Sequence, residues 1–253
     1  MSSSQTRSLR RGRVLVLGGT AEARSLAARL VDDAIPVITS LAGRVSRPAL
    51  PRGEVRIGGF GGLDGLVDFL GQNQIGYVVD ATHPFAARIS ATAVAACAQA
   101  AIPLLRFARP GWANHADASI WTWVPDHRAA AAAVIPNARV LLTTGRQSIG
   151  DFQILADRTV YIRLVDEPTF ILPPTWRAII SRGPYDVDDE RALMQTHQID
   201  TLITKDSGGA MTAGKLDAAR DLGVQVIVVR RPDYHDTVAT VRTNDEALSI
   251  LTQ

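Results

Sequence analysis

From Arg13 onward the apolar and polar positions fall into two alternating rhythms. Short runs rich in aliphatic and β-branched residues, RVLVLGG, IPVITSLAG and IGYVVDATHP, alternate with the helix-spaced stretches AEARSLAARLVDD and LDGLVDFLGQNQ. Strand, helix, strand in this order predicts parallel βαβ units, since parallel neighbours need a crossover long enough to hold a helix. Segments such as VLVLG and YVVD are nearly continuous apolar runs, as strands covered by helices on both faces are expected to be.

The order recurs. Arg13–Leu17 with Gly18 and Gly19 runs parallel to RVLLTTG at 139–145, an offset of 126; QIGYVV at 74–79 matches QIDTLI at 198–203 at 124; Arg109-Pro110 matches Arg231-Pro232 at 122. A period this long is too large for a solenoid and predicts two similar domains, or else two unrelated α/β domains that share only the usual patterning. The expected fold class is therefore α/β, two Rossmann-like parallel-sheet domains with a ligand cleft between them. The boundary is expected in the aromatic, polar stretch 109–126, giving an N-terminal domain over 12–118 and a C-terminal domain over 119–253. Trp112, Trp121 and Trp123 in that stretch would pack an interdomain seam or offer a stacking surface to a flat ligand.

Composition narrows the function classes. The 253 residues are 46% hydrophobic and 21% charged, with a net charge of +2 and no long cationic run, so no nucleic-acid footprint is evident. No apolar run reaches membrane-spanning length and the first dozen residues lack the apolar core of an export signal, which predicts a cytoplasmic protein that meets no membrane. The single cysteine, Cys97, is expected as a small buried residue of a helix. Of the 27 cationic side chains 25 are arginine, so the two lysines, Lys205 and Lys215, stand out in one segment, TKDSGGAMTAGK.

Candidate chemistry sits where strands end. Gly18, Gly19, Thr20 and Glu22 form a strand-to-helix turn that could seat a diphosphate on backbone N–H groups and a helix N-terminus, or bind nothing as an ordinary βα turn; it is not a GxGxxG fingerprint. After the second strand, where an acidic residue would select NAD, TSLAGR offers Ser40, Gly43 and Arg44. These suit a 2′-phosphate and argue for NADPH, although Arg44 would also fit a solvated loop. Gly58, Gly59 and Phe60 follow the third strand, and Thr82, His83 and Pro84 follow the fourth; His83 could donate a proton or simply be a hydrogen-bonded residue at a helix start. In the second half TTGR, RGPY and TKDSGG end further strands. There Lys205, Ser207 and Gly208 resemble another anion-binding turn. No zinc spacing, Gly-x-Ser-x-Gly elbow or P-loop lysine is present, so no metal site is expected.

Taken together, LGGTAEAR, GGFGG, DATHPFA, RFARPGW, TTGR, RGPY and TKDSGG, spanning 13 to about 234, resemble the precorrin-6A reductase family of cobalamin biosynthesis, which includes a branch acting on the cobalt-loaded ring. The resemblance implies NADPH-dependent reduction of a double bond in the precorrin-6A macrocycle to give precorrin-6B, without flavin or metal, with the N-terminal domain binding NADP. A polycarboxylate tetrapyrrole would be met by Arg146, Arg182, Lys205 and Lys215. Two other classes compete. One is a non-catalytic two-domain anion or nucleotide binder. The other, a nucleotide-sugar epimerase, normally needs Tyr-x-x-x-Lys, and no lysine lies four residues after any tyrosine.

Overall fold

The computed structural model describes residues 12–43, 48–234 and 238–252, and the chain divides into two compact units, Met1–Arg109 with Pro232–Gln253, and Pro110–Arg231. In the first unit β1 (Arg13–Leu17), α1 (Ala21–Asp32), β2 (Val37–Leu41), β3 (Glu54–Ile57), α2 (Leu63–Gln72), β4 (Ile75–Asp80), α3 (Ala87–Ala100) and β5 (Leu104–Phe107) are joined by β12 (Ala239–Val241) and α7 (Asn244–Leu251). Its sheet has the order β12-β5-β4-β1-β2-β3 with every pairing parallel. Apolar strand residues feed both faces, as the unbroken sequence runs require. Val14, Val16 and Val37 pack with Leu26 and Leu30 of α1 and Ala247 and Leu248 of α7, while Leu15, Leu17 and Ile38 pack with Leu66, Leu70 and Ala93 from α2 and α3.

The second unit holds β6 (Thr122–Val124), α4 (His127–Ala132), β7 (Arg139–Leu142), a 3₁₀ helix (Arg146–Leu155), β8 (Thr159–Leu164), β9 (Trp176–Ile180), α5 (Val187–Thr196), β10 (Thr201–Lys205), α6 (Gly214–Leu222) and β11 (Gln225–Val229). The order is β6-β11-β10-β7-β8-β9, again all parallel. The internal repeat is thus real at the level of topology: β1 corresponds to β7 and β4 to β10, and Gln74 and Gln198 enter β4 and β10 with the same left-handed φ of 52°.

The sixth strand of each sheet departs from the expected boundaries. The strand after β5 in the chain, β6, completes the second sheet, and the strand after β11, β12, completes the first. Division therefore falls at Arg109/Pro110 and Arg231/Pro232, the very dipeptides that repeat in sequence, rather than once at 118/119, and 232–253 belongs with the first unit. The physical reason is burial: β12 pairs with β5, and Val241, Ala247 and Leu248 close the apolar face built by Leu105 and Phe107. The three tryptophans belong to the core of the second unit. Trp112 and Trp121 are buried in the core of the second unit with Leu141, Leu202 and Leu216, and Trp123 packs against that cluster.

Candidate active site

In the first sheet β1 sits beside β4, and the chain leaves β1 toward β2 but leaves β4 toward β5. Loops that diverge at such a switch point leave a crevice at the strands' C-terminal ends, where open α/β sheets bind ligands. Gly18 is required there because a Cβ would lie 2.9 Å from Thr39 Cγ2. Gly19 has φ +108°, and the place of its Cβ is open space, so its backbone can be approached closely. Thr20 caps α1 by accepting the Ala23 N–H at 3.1 Å, and its hydroxyl donates to the Ala81 carbonyl at 2.8 Å, tying the two diverging loops together. The first-turn N–H groups of α1 then face the crevice end of the sheet with no intrahelical partner. Glu22 pairs with Arg109 at 2.9 Å, and a shallow recess is lined by Thr20, Glu22, Thr82, Pro84, Arg106 and Arg109.

A buried polar cluster fixes the loop after β4. Asp80 has no solvent exposure and pairs with Arg106 at 2.8 Å. The carboxylate also accepts from Thr82 N–H at 3.0 Å, Thr82 Oγ1 at 2.6 Å and the Tyr234 hydroxyl at 2.9 Å. Arg106 in turn donates to the carbonyls of Asp80 and Thr82, both at 3.2 Å, and lies 4.7 Å from the centre of the Tyr234 ring. A buried charge is tolerated only when paired and hydrogen-bonded this completely. Burial and the Asp80 charge push the Tyr234 phenol upward and raise the Cys97 thiol to about 12, so Cys97 is the inert buried thiol that its helix suggested. His83 Nδ1 accepts the Phe85 N–H at 3.2 Å, a local turn ahead of α3; Thr82 and Pro84, and not His83, line the recess.

The far edge of this sheet carries a residue that sequence reasoning missed. Ser40 is the penultimate residue of β2 and is buried, and its register partner on β3 is Arg56. The Arg56 guanidinium donates to Ser40 Oγ at 3.2 Å, to the Gly58 carbonyl at 2.7 Å and to the Gly59 carbonyl at 2.6 Å, and it lies 3.9 Å from the centre of the Phe60 ring. Cβ positions at Gly58 and Gly59 are open space, and Gly43, with φ +71°, lies against Ile57. Arg44 falls outside the described residues.

In the second unit the ends of β7 and β10 form the corresponding switch point. Arg146 is exposed at the first position of the 3₁₀ helix, and Arg182 is exposed after β9. Asp206 is buried, accepting the Trp112 N–H at 2.7 Å and pairing with Arg231 at 3.2 Å, while Ser207 is half-buried. Gly208 has φ +64° and a Cβ there would meet the Pro110 carbonyl at 2.1 Å, so this glycine serves close packing, whereas Gly145 after β7, with φ +82°, has an open Cβ position like Gly19 after β1. Lys205 ends β10 half-buried; burial lowers its ammonium to about 8, and its charge helps hold His127 below the ordinary imidazole value after burial itself. Lys215 corrects the expectation of a loop-borne cation: it is buried as the second residue of α6, donates to the Thr212 carbonyl and lies 4.5 Å from the centre of the Trp112 ring. Among the described residues no group of three His, Cys, Asp or Glu is placed to hold a metal ion, and no helix is long and apolar enough to cross a membrane.

The relatives of this chain fit its geometry. A precorrin-6A reductase of Rhodococcus erythropolis is 46% identical over 232 residues, covering 90% of this chain and 93% of that protein. A cobalt-precorrin-6A reductase of Synechocystis sp. is 30% identical over 235 residues, covering 87% and 88%. A solved structure titled CobK precorrin-6A reductase superposes with a TM-score of 0.90 at 43% identity, covering 95% of this chain and 96% of that one. The family described as Precorrin-6x reductase CbiJ/CobK matches residues 13–252, and the chain belongs to it.

Proposed function

We propose that the chain reduces one double bond of the metal-free precorrin-6A macrocycle to give precorrin-6B in cobalamin biosynthesis, using NADPH. The observation that carries this reading is 46% identity to a precorrin-6A reductase over nine-tenths of both chains. Bound NADPH would supply the hydride, and a proton from solvent or a side chain completes the CH–CH bond. The residues of the first unit fit such a cofactor. Gly19 leaves a backbone cradle where a Cβ would stand, the α1 N-terminus favours a diphosphate, and Ser40 stands where a ribose is read. Gly18, Thr20, Glu22, Thr82, His83 and Pro84 would complete the nucleotide end, with Gly43, Arg44, Gly58, Gly59 and Phe60 at the ribose end. In the second unit Arg146, Arg182, Lys205 and Ser207 would meet the carboxylates of the macrocycle. This is a cytoplasmic reaction on a small molecule, and the enzyme itself carries no metal in it.

A cobalt-loaded substrate is the second reading, and the identities favour the metal-free ring, 46% against 30%. Offering both rings to the purified enzyme with excess NADPH decides between them. We expect kcat/KM to be at least tenfold higher on metal-free precorrin-6A; a preference for the cobalt-loaded ring would reverse the assignment.

A further inference from the structure

We propose that Arg56, with Ser40, reads the 2′-phosphate of NADPH at the edge of β2 and β3, a role that rests on the NADPH reading above. In a Rossmann-like sheet the end of β2 meets the adenosine ribose, and here that position carries Ser40 rather than a carboxylate. Its parallel neighbour at the same level of the sheet is a cation. The guanidinium is already oriented: three of its five N–H donors are held by Ser40 Oγ and by the Gly58 and Gly59 carbonyls, and Phe60 supports its face. Two donors remain uncommitted among the described residues, and no carboxylate pairs with Arg56 there, unlike Arg13, Arg106 and Arg109. Burial lowers its pKa, so part of its hydration is lost without a counter-charge. A phosphate monoester, carrying close to two negative charges, matches that deficit in charge and in planar donor geometry. The neighbouring glycines keep the approach open, since Cβ positions at Gly58 and Gly59 would touch nothing. Arg56 lies inside EVRIGGFGG, where its charge interrupts a glycine-rich edge, and the cation comes from β3 rather than from the loop after β2.

The test measures binding of NADP⁺, NAD⁺, 2′,5′-ADP and 5′-AMP to the full chain by calorimetry, in the wild type, Arg56→Ala and Arg56→Lys. Loss of one charge-assisted contact should weaken NADP⁺ and 2′,5′-ADP about ten- to hundredfold. NAD⁺ and 5′-AMP should change by no more than about twofold, and Arg56→Lys should recover part of the loss, since a point charge remains but the fork does not. Equal losses for phosphorylated and unphosphorylated nucleotides would mean that Arg56 only holds the Gly58–Gly59 turn, and no loss would mean it holds nothing relevant; either overturns the proposal. Should the alanine variant fail to fold, Arg56→Gln, which keeps length and a donor but no charge, gives the same comparison. If the wild type binds neither dinucleotide, the NADPH reading itself falls. A wild type that prefers NADP⁺ beside an indifferent Arg56→Ala sinks only the role of Arg56.

Discussion

Asp80 shows how much a single side chain can organise. It closes β4, holds Arg106 at 2.8 Å, and through Thr82 sets the path of the loop that lines the recess. Removing one partner of such a pair strands the other charge, which typically costs about 3 to 5 kcal/mol. Asp80→Ala should lower the unfolding free energy by that amount in urea titrations, whereas the double change Asp80→Leu with Arg106→Met should recover most of it. A double variant as unstable as the single one would mean that the hydrogen bonds to Thr82 and Tyr234, not the charge pair, carry the stability. Lys205 has the opposite character, a cation at a cost. Its folded value near 8 lies below the ordinary 10.5, so the unfolded chain binds the proton more tightly. The cost is fully present below about pH 8 and fades as pH rises toward 10.5, so stability attributable to this group rises across that window. Relative to Lys205→Met, the wild type should therefore gain stability between pH 8 and 10; a difference that stays flat would show the ammonium to be solvated. The sequence exposed Lys205 by its rarity among arginines, but nothing in it distinguished Lys205, at a strand end, from Lys215, which α6 turns into the core. Arg56 escaped notice for a related reason: one arginine among 25 is marked only by its register opposite Ser40.

At the scale of elements, apolar runs and glycine turns located β1, β2, β4 and the helices between them, because strands buried on both faces and amphipathic helices leave strong periodic traces. β12 left none. Three residues, Ala239–Val241, are too short for a period, and a strand's pattern does not name its partner across more than a hundred residues of chain. Yet the C-terminal segment is part of the first core, with Val241, Ala247 and Leu248 packed against α1 and β5. Leu248→Ala should accordingly lower stability by about 2 to 4 kcal/mol in urea unfolding, the cost of a buried cavity. A change within 0.5 kcal/mol, typical of an exposed tail position, would contradict the placement. The tryptophans teach the same lesson from the other side. Their clustering near the expected boundary was plain in sequence, but a large aromatic near a boundary packs wherever a core will take it, here with β7, β10 and α6 of the second unit.

Across the whole molecule, two sheets of one topology each carry a switch point, and the glycines that follow β1 and β7, Gly19 and Gly145, both have positive φ and open Cβ positions, whereas Gly208 after β10 packs against the Pro110 carbonyl. The repeat itself was legible because β1 and β7, and β4 and β10, share residues at nearly constant offset, whereas the exchange of sixth strands left only the dipeptides Arg109-Pro110 and Arg231-Pro232 as its trace. Transfer of label tests the proposed reduction most directly. Purified protein is incubated anaerobically with precorrin-6A and NADPH deuterated at the transferring position, and the macrocycle is analysed by mass spectrometry. Reduction by hydride transfer gives product two hydrogens heavier in composition, with one deuterium per macrocycle and one NADPH consumed for each; oxidation of NADPH with the macrocycle unchanged, or a reduced macrocycle free of deuterium, would contradict it.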